Sequence, residues 1–408
     1  MSTFDTLKRR GLVAQTTDEQ AVRDLIDGPP RTVYAGFDPT ADSLHVGNLV
    51  PILGLSRLQK AGHRIIAVCG GATALVGDPS GKTSLRPMID NERLNSNLAG
   101  IRPQLERFLI LDGEQGILLD NAGWISPMSW LEALRTLGPR FSVSRMLSYE
   151  TYKTRLETGL TFLELSYQLL QAYDFLHLWR EHGCTLQIGG DDQWANILAG
   201  MDLIRRVEST SVEGLTLPLL TTATGQKMGK TEDGALWLDS TRTSPYDFYQ
   251  YWINIDDADV HKCLCFFTDC TIEEIEHLTG SEGPGIVETK HLLAKEFTAR
   301  VHGSDEAEKA RAAARAAFGS GGAGVEGVPT STIAREELEG GVELLALLVQ
   351  VGICKSKGDA RRLVKQGGAY VNGARIDDIA AEVGESDLEE NAIMLRGGKK
   401  RFHRVVVG

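Results

Sequence analysis

Two glycine-rich segments carry lysine at a spacing that could bind a polyphosphate: GDPSGKTSLRP (77–87) and KMGKT (227–231). Their basic side chains are Lys82 and Arg86 in the first segment and Lys227 and Lys230 in the second. Lysines on loops can fold over phosphate oxygens and stabilise the charge that develops in phosphoryl chemistry. The alternative for each segment is a solvated basic loop. A P-loop is excluded, because three residues rather than four separate the glycines before the Lys-Thr pair.

The stretch RTVYAGFDPTADSLHVGN (31–48) joins a predicted strand to a predicted helix through a polar turn. Residues 32–37 predict the strand, Asp38 begins the turn, and the helix opens near His45. A strand, turn and helix in this order present backbone N–H groups to a phosphate, and an imidazole can donate to a phosphoryl oxygen. We therefore predict one wall of a nucleotide site here.

Two further segments could bind the rest of a substrate. On the predicted helix 161–180, Tyr167, Gln171 and Asp174 share one face because they are spaced i, i+4, i+7. This face is either exposed or part of a pocket, and the scarcity of charge around Asp174 favours a pocket. In QIGGDDQW (187–194), polar residues after two glycines predict a ribose- or substrate-binding edge, a helix N-cap, or both.

The cysteine-rich segment HKCLCFFTDC (261–270) does not predict a metal site. Its Cys-x-Cys-x4-Cys spacing is not a usual zinc pattern, and the segment is apolar. We therefore predict buried structural cysteines, and no metal held by the protein.

These segments require a sheet that brings the ends of several strands together. The predicted strands are 32–37, 64–71, 185–190 and 214–220, and the predicted helices are 49–62, 91–108, 128–138, 161–180 and one from about Gln193. Alternating strands and helices, with glycine at strand ends, predict an α/β fold with a doubly wound (Rossmann-like) parallel sheet. Ligands of such sheets bind at the carboxyl ends of the strands.

Four parts are predicted along the 408-residue chain: a Rossmann-like catalytic domain (1–222), the second lysine segment with a helical domain (223–318), a glycine-rich linker (319–340) and a small α+β domain (341–408). The net charge of −12 argues against nucleic-acid binding over the whole surface. Residues 341–408 hold 11 Lys and Arg against 9 Asp and Glu, a balance of +2 that leaves −14 elsewhere. Any RNA contact is therefore expected near the C-terminus.

The sequence also predicts the compartment. No apolar run approaches the length of a membrane span, and MSTFDTLKRRGLVAQ lacks the apolar core of a signal peptide. The six cysteines are scattered. We therefore expect a cytoplasmic protein with reduced thiols and no membrane partner.

Taken together, the segments resemble the class I aminoacyl-tRNA synthetases. DPTADSLHVGN is similar to their His-Ile-Gly-His signature, and KMGKT is similar to their Lys-Met-Ser-Lys-Ser signature. With GGATALVGDPSGK, SYQLLQAYDF and LQIGGDDQW, their order and separation resemble those of the bacterial tyrosyl-tRNA synthetases over most of the chain. Asn48 replaces the second signature histidine, and its amide can donate a hydrogen bond but cannot carry a positive charge.

The resemblance implies a ligase that joins L-tyrosine to tRNA(Tyr) in two steps. The tyrosine carboxylate would attack ATP, which carries Mg²⁺ on its phosphates, to give tyrosyl-adenylate and pyrophosphate. The 3′ end of the tRNA would then take the tyrosyl group. Since no covalent enzyme intermediate is needed, catalysis would depend on positioning and on charge stabilisation. The resemblance further implies a homodimer and a C-terminal RNA-binding domain related to a small-subunit ribosomal protein.

By matching position, the resemblance implies three groups of substrate-binding residues. Tyrosine would be bound by Tyr34, Asp78, Tyr167, Gln171, Asp174 and Gln193. ATP would lie near Gly36, Asp38, Gly47, Gly190 and Asp192. The phosphates would be contacted by Thr40, His45, Asn48, Lys82, Arg86, Lys227, Lys230 and Thr231.

The C-terminal domain supplies two basic clusters. They are Lys355, Lys357, Arg361, Arg362 and Lys365 on a short predicted helix before a Gly-Gly turn and a strand, and Lys399, Lys400 and Arg401 near the chain end. A solvated charged face is the alternative, and the resemblance favours contact with tRNA.

Two other functions compete with a ligase. An RNA-binding regulator that has lost catalysis is disfavoured, because both lysine segments and all the tyrosine-binding residues are present. A nucleotide hydrolase of another fold would need the P-loop spacing that the chain lacks.

Overall fold

The computed structural model describes residues 1–80, 89–231, 234–280, 283–318, 328–389, 391–398 and 401–408. The chain forms two compact units, Met1–Asp239 with His261–His277, and Ser240–Val260 with Leu278–Gly408. No helix among the described residues is long and apolar enough to cross a membrane.

The first unit is built on a six-stranded sheet in the order β1-β6-β5-β2-β3-β4. Its strands are β1 (Gln15–Thr16), β2 (Thr32–Phe37), β3 (Arg64–Cys69), β4 (Gly116–Asp120), β5 (Cys184–Gly190) and β6 (Glu213–Leu217). Strands β2 to β6 are parallel, and the edge strand β1 pairs antiparallel with β6. The chain passes from β2 outward to β4 and then crosses to β5 on the other side, so the predicted doubly wound fold is confirmed.

Eleven described α-helices connect or flank these strands. They are α1 (Thr3–Arg9), α2 (Glu19–Asp27), α3 (Val46–Lys60), α4 (Thr73–Val76), α5 (Asn91–Phe108), α6 (Ala122–Ile125), α7 (Trp130–Thr136), α8 (Val143–Met146), α9 (Glu150–Thr158), α10 (Phe162–His182) and α11 (Trp194–Glu208). Two short strands, β7 (Lys230–Thr231) and β8 (Gly234–Ala235), follow β6 and pair antiparallel. The sequence analysis did not predict β4, because only Ile117, Leu118 and Leu119 form its apolar run.

Helix α10 has well-defined ends. The Thr161 hydroxyl accepts from the Glu164 N–H at 3.2 Å, and the Glu164 carboxylate accepts from the Thr161 N–H at 3.0 Å. This reciprocal cap satisfies two N–H groups that a helix end would leave without partners. Gly183 ends the helix with a φ of +61°. Glu164 also forms a 2.7 Å ion pair with Arg155 of α9, and both side chains are buried. The polar face of α10 is therefore held on a fixed backbone.

The second unit contains helices from the middle of the chain, where the sequence predicts a helical domain. The helices between β8 and residue 318 are α12 (Pro245–Ile253), α13 (Asp257–Phe267), α14 (Ile272–Thr279), α15 (Pro284–His302) and α16 (Ser304–Phe318). Within the second unit, Phe297 of α15 packs its ring 5.3 Å from that of Phe248 and 4.6 Å from that of Trp252, both on α12. Part of α13 and α14 belongs to the first unit.

The C-terminal residues form a five-stranded sheet in the order β12-β11-β14-β15-β9. The elements are β9 (Thr330–Ile333), α17 (Arg335–Glu339), β10 (Val342–Glu343), α18 (Leu344–Gln350), α19 (Lys357–Lys365), β11 (Ala369–Val371), β12 (Ala374–Ile376), β13 (Glu382–Val383), β14 (Ala392–Gly397) and β15 (Arg401–Val407). Buried aliphatic residues of α18, α19 and the sheet form one core cluster. This is the predicted small α+β domain.

The predicted linker of 319–340 is too long at its C-terminal end. Strand β9 pairs in parallel with the last strand β15, with Thr330 opposite Arg404 and Ile333 opposite Val407. The glycine-rich composition that predicts a linker is confined to 319–324, whereas TSTI (330–333) has the β-branched residues of a strand. Residues 319–327 lie outside the described part of the chain.

Candidate active site

The carboxyl end of the parallel sheet is open beside β2. Gly36 is exposed, although Ala35 and Phe37 on either side of it are buried. Apart from Gly36 itself and its two chain neighbours, no described residue has an atom within 4 Å of the position that a Cβ of Gly36 would occupy. A ligand can therefore lie against the backbone of a central strand here.

The Asp174 carboxylate lies at the buried end of this site. Its Oδ1 accepts a 2.7 Å hydrogen bond from Trp124 Nε1, and its Oδ2 accepts a 3.0 Å hydrogen bond from Asn121 Nδ2. Burial raises the pKa of Asp174 to about 7, while these two donors act in the opposite direction. The carboxyl group can therefore either accept or donate a hydrogen bond near neutral pH.

Tyr34 of β2 brings a second polar group to the same end. The side chain is 1% exposed, and its hydroxyl has no hydrogen-bond partner among the described residues. Burial raises the Tyr34 pKa, and the negative charge of Asp174 raises it further. Since buried hydroxyls in proteins are nearly always paired, this one suits a polar group of a ligand.

A chain of hydrogen bonds joins Asp174 to Asp38, the first residue of the predicted turn. Asn121 Nδ2 also donates to Thr73 Oγ1 at 3.0 Å, and Thr73 Oγ1 donates to Asp38 Oδ1 at 2.7 Å. The hydroxyl of Tyr167, about two turns before Asp174 on α10, donates to Asp38 Oδ2 at 2.8 Å. The predicted polar face of α10 thus contacts the predicted turn.

A second network connects Asp78 with the segment after β5. Asp78 Oδ2 accepts from Gln193 Nε2 at 2.7 Å, and Asp78 Oδ1 accepts from the Ser80 N–H at 2.9 Å. The Gln193 Oε1 in turn accepts from Asn196 Nδ2 at 3.1 Å. Asp78 is buried, and Gln171 on α10 is half-buried.

The two adjacent acids after β5 have different surroundings. Asp191 Oδ1 accepts from Gln15 Nε2 at 2.6 Å and from Thr216 Oγ1 at 2.8 Å, so this carboxylate ties β1 and β6 to the start of α11. Asp192 is half-buried beside Gly190, where a Cβ would lie 2.7 Å from Asp192 Oδ1. The segment therefore contains one structural acid and one acid next to the open strand end.

His45 and Asn48 cap the N-terminus of α3 together. His45 Nδ1 accepts from the Gly47 N–H at 3.0 Å, and the His45 N–H donates to Asn48 Oδ1 at 3.0 Å. Asparagine thus supplies the acceptor of a capping box at the third helical position. Thr40 is exposed on the approach to this turn.

The chain shortly after the second lysine segment is hydrogen-bonded to the same turn. The Val46 N–H donates to the Leu236 carbonyl at 3.0 Å, and the Leu238 N–H donates to the Leu44 carbonyl at 2.9 Å. Lys227 and Lys230 are exposed. Lys82 and Arg86 lie outside the described residues, as does the side chain of Thr231.

The cysteine segment is mostly apolar interior, as predicted. Cys263 and Cys265 on α13 are buried, and Cys263 Sγ lies 3.7 Å from Met228 Sδ in the lysine segment. Burial raises the pKa of the Cys265 thiol.

The predicted RNA-binding helix is α19, followed by Gly367, Gly368 and β11. The basic side chains on or just before it are exposed: Lys355, Lys357, Arg361, Arg362 and Lys365. Its opposite face buries Ala360 and Val364 in the domain core. Arg401 is exposed on β15, and Lys399 and Lys400 lie outside the described residues.

Sequence reasoning missed Asn121, Trp124 and Thr73. Asn121 directly follows β4, and it is 1% exposed with its amide nitrogen and oxygen both hydrogen-bonded. Polar residues at the carboxyl end of a strand are the signal that could have identified Asn121, but it required β4 to be predicted first.

Comparison with known proteins gives a consistent result. The family model for class I tRNA synthetases (W and Y) matches residues 27–319, and the model for the Tyrosine–tRNA ligase SYY-like C-terminal domain matches residues 322–405. A Tyrosine–tRNA ligase of Clostridium tetani is 50% identical over 404 residues, which cover 99% of this chain and 98% of the relative. One from Clostridium botulinum is 47% identical over 407 residues and covers 100% of both chains.

Solved structures show the same similarity. A C-terminally truncated mitochondrial tyrosyl-tRNA synthetase of Aspergillus nidulans has a TM-score of 0.69 and 30% identity, covering 77% of this chain and 93% of that one. The tyrosyl-tRNA synthetase of Archaeoglobus fulgidus complexed with L-tyrosine has a TM-score of 0.59 at 16% identity, covering 75% and 99%, which shows a shared fold.

Proposed function

We propose a residue-level mechanism from the premise that this chain belongs to the class I tRNA synthetases for tryptophan and tyrosine. Its activity is the ATP-dependent ligation of tyrosine to tRNA. The two relatives that match it along the whole chain are both named Tyrosine–tRNA ligase. The observation that carries the mechanism is the buried Tyr34 hydroxyl, which has no described partner and lies in the field of Asp174.

The phenol hydroxyl of the substrate binds between Tyr34 and Asp174. It completes the hydrogen bonding of the Tyr34 hydroxyl, and it donates to the Asp174 carboxylate when that group is ionised. Phenylalanine has no hydroxyl, so its binding would leave both buried groups without that partner. This cost selects tyrosine.

The amino end of the substrate faces the hydrogen-bond network that contains Asp78 and Gln193. Asp78, Tyr167 and Gln171 bind the ammonium group, and Gln193 orients the carboxylate. The support is that Asp78 and Gln193 are already hydrogen-bonded to each other at 2.7 Å and so are held in place before substrate arrives.

ATP binds across the carboxyl ends of β2 and β5. Gly36, Asp38, Gly190 and Asp192 contact the ribose, while Thr40, His45, Gly47 and Asn48 contact the phosphates. Lys82, Arg86, Lys227, Lys230 and Thr231 close over the phosphates from the two lysine segments. The open space at Gly36 and the exposure of Lys227 and Lys230 support this arrangement.

Two transfers then follow without a covalent enzyme intermediate. A carboxylate oxygen of tyrosine attacks the α-phosphorus, and the bond from that phosphorus to the α,β-bridging oxygen breaks, so pyrophosphate leaves with the electron pair. A terminal ribose hydroxyl of tRNA next attacks the tyrosyl carbonyl and AMP leaves. Lysine side chains stabilise the charge on the departing pyrophosphate. Mg²⁺ would be held by the phosphate oxygens of ATP, where it would supply further charge stabilisation.

A homodimer is supported by an apolar surface on the first unit. Trp130, Leu131 and Phe162 are 60%, 70% and 66% exposed, and the rings of Trp130 and Phe162 are 6.1 Å apart. Water contact with so much apolar area is unfavourable, and a second copy of this chain would cover it. The doubly substituted variant Leu131→Glu/Phe162→Glu should sediment as a monomer, and an unchanged mass would remove this surface as the interface.

The C-terminal domain binds tRNA through the exposed basic face of α19. Truncation after Phe318 removes the whole β9–β15 sheet, so it should lower kcat/KM for tRNA by about 100-fold or more through lost phosphate contacts. Tyrosine-dependent ATP–pyrophosphate exchange should stay near the full-length rate. Equal loss of both activities would contradict this division. The proposed compartment of the enzyme is the cytoplasm, where ATP, tRNA and reduced thiols occur.

The decisive test of the whole mechanism is ATP–pyrophosphate exchange with each of the twenty amino acids. Exchange with tyrosine alone is expected. Exchange with none, combined with retained tRNA binding, would instead indicate the RNA-binding regulator.

A further inference from the structure

Gly229, between the two lysines of the second segment, packs directly on the first residue of α3. A Cβ at Gly229 would lie 2.3 Å from Val46 Cγ2, far inside van der Waals contact. Val46 is buried, and a β-branched side chain at a helix start has few rotamers to move into. A side chain at residue 229 therefore requires Val46 or the lysine segment to shift.

The same two residues are joined through the backbone of Leu236. The Leu236 N–H donates to the Gly229 carbonyl at 2.7 Å, and the Val46 N–H donates to the Leu236 carbonyl at 3.0 Å. Val46 immediately follows His45 and lies within the capping box of α3. The lysine segment is thus connected by two hydrogen bonds and one side-chain contact to the turn that holds His45 and Asn48.

Met228, the residue before Gly229 in the chain, is also held in place. Met228 is buried, its N–H donates to the Leu220 carbonyl at 2.9 Å, and its sulfur lies 3.7 Å from Cys263 Sγ. Lys227 and Lys230 project into solvent on either side of this anchored pair. The backbone at 228–229 is therefore the fixed point from which both lysines extend.

We propose that Gly229 is a positioning residue, whose missing side chain lets the lysine segment seat on Val46 and so sets Lys227 and Lys230 relative to the His45 turn. This inference rests on the proposed function, because it takes those lysines to contact the ATP phosphates. A side chain at Gly229 would lift the segment away from α3. Both lysines would then lose their alignment at once.

Gly225 provides a matched control in the same loop. Its φ is +82° and that of Gly229 is +80°, so alanine meets the same backbone strain at either position. No described atom lies within 4 Å of a Cβ at Gly225. Gly225→Ala should therefore lower kcat/KM for ATP in pyrophosphate exchange by no more than about fivefold. Gly229→Ala should lower it by about 100-fold or more, because two charge-stabilising groups are displaced together.

The decisive comparison is between Gly229→Ala and a double variant in which Val46 is also shortened to remove the clash. In the double variant Val46→Ala/Gly229→Ala the clash is absent, so at least about tenfold of the lost kcat/KM should return relative to Gly229→Ala. Equal losses at Gly225 and Gly229, or no recovery in the double variant, would overturn the seating on Val46. Thermal unfolding of each variant identifies any general loss of structure.

Hydrogen exchange without substrate separates this inference from the proposed function. The Leu236 and Val46 amides should exchange at least about tenfold faster in Gly229→Ala than in Gly225→Ala, because their bonds open when the segment lifts. Unchanged protection would refute the seating whatever the enzyme activity. Faster exchange in a chain whose wild type shows no pyrophosphate exchange would refute the proposed function and leave the seating intact.

Discussion

The two ends of the active site are built in opposite ways. At the tyrosine end, Asp174 is buried and accepts hydrogen bonds from two side chains that are themselves on fixed elements. At the phosphate end, Lys227 and Lys230 are exposed and extend from a loop. Under the proposed mechanism, amino-acid choice would depend on groups whose positions are set by the fold. Charge stabilisation would depend on groups that can close over ATP after it binds.

The largest expected effect comes from the buried end. Asp174→Ala removes the proposed acceptor of the phenol hydroxyl. It also leaves the side-chain N–H groups of Asn121 and Trp124 without their carboxylate acceptor. Tyrosine-dependent exchange should fall by about 1,000-fold, which corresponds to ~4 kcal/mol for a truncated buried charged partner. Circular dichroism and unfolding should show a folded chain. A near-normal exchange rate would remove Asp174 from the binding site.

At the exposed end, Lys230→Ala should act on rate rather than on binding of the amino acid. We expect kcat for exchange to fall by about 100-fold, because a charge that acts on the leaving pyrophosphate is lost. KM for tyrosine and the melting temperature should be unchanged, since Lys230 is exposed. A change confined to tyrosine KM would show that the two ends are not separate.

A smaller effect is expected from the side chains that hydrogen-bond the Asp174 carboxylate. Asn121→Ala removes the donor shared by Asp174 and Thr73, so the carboxylate loses its fixed orientation without losing contact with substrate. KM for tyrosine should rise about tenfold, in line with a hydrogen bond to a charged group, while kcat changes less. Trp124→Phe, which removes only the other donor, is the matched comparison. If neither variant changes tyrosine KM, the network has no role in binding.

A further expected effect is a pH dependence of stability. The pKa of Asp174 is raised by burial from an ordinary 3.8 to about 7, so between these values the folded state binds more protons than the unfolded state. The contribution of Asp174 to the free energy of unfolding must then fall as pH rises from about 4 to about 7. Urea unfolding of wild type and Asp174→Asn at pH 4.5 and pH 7.5 measures it. A difference between the two proteins that does not vary with pH would contradict the raised pKa.

Much of the contrast between the tyrosine end and the phosphate end could be predicted from the sequence, because it depends on local patterns. The strand 32–37 and the helix 91–108 have in the structure the bounds that apolar spacing predicts. The lysine segments were identifiable because glycine and lysine occur together at short spacing. Tyr167 and Asp174 were identifiable because a helix places them on one face.

The features of the site that could not be predicted depend on contacts between distant segments of the chain. Asn121 and Trp124, which are 53 and 50 residues from Asp174 in the chain, reach it only because β4 lies at the sheet edge beside β3. The sequence marks Asn48 only as a departure from the signature, and its role as a helix-cap acceptor depends on the position of the His45 N–H. The contact of Gly229 with Val46 likewise joins segments that no local pattern relates.

The pairing of β9 with β15 has a mechanical consequence. The first and the last strand of the C-terminal sheet are neighbours and run parallel, with four residue pairs in register from Thr330 opposite Arg404 to Ile333 opposite Val407. Tension applied between the two chain ends of this domain would therefore pull the strands lengthwise past each other. All the hydrogen bonds between them would share the load together, whereas an antiparallel pair pulled from one end opens one bond at a time. A domain closed in this way resists unravelling from its two ends.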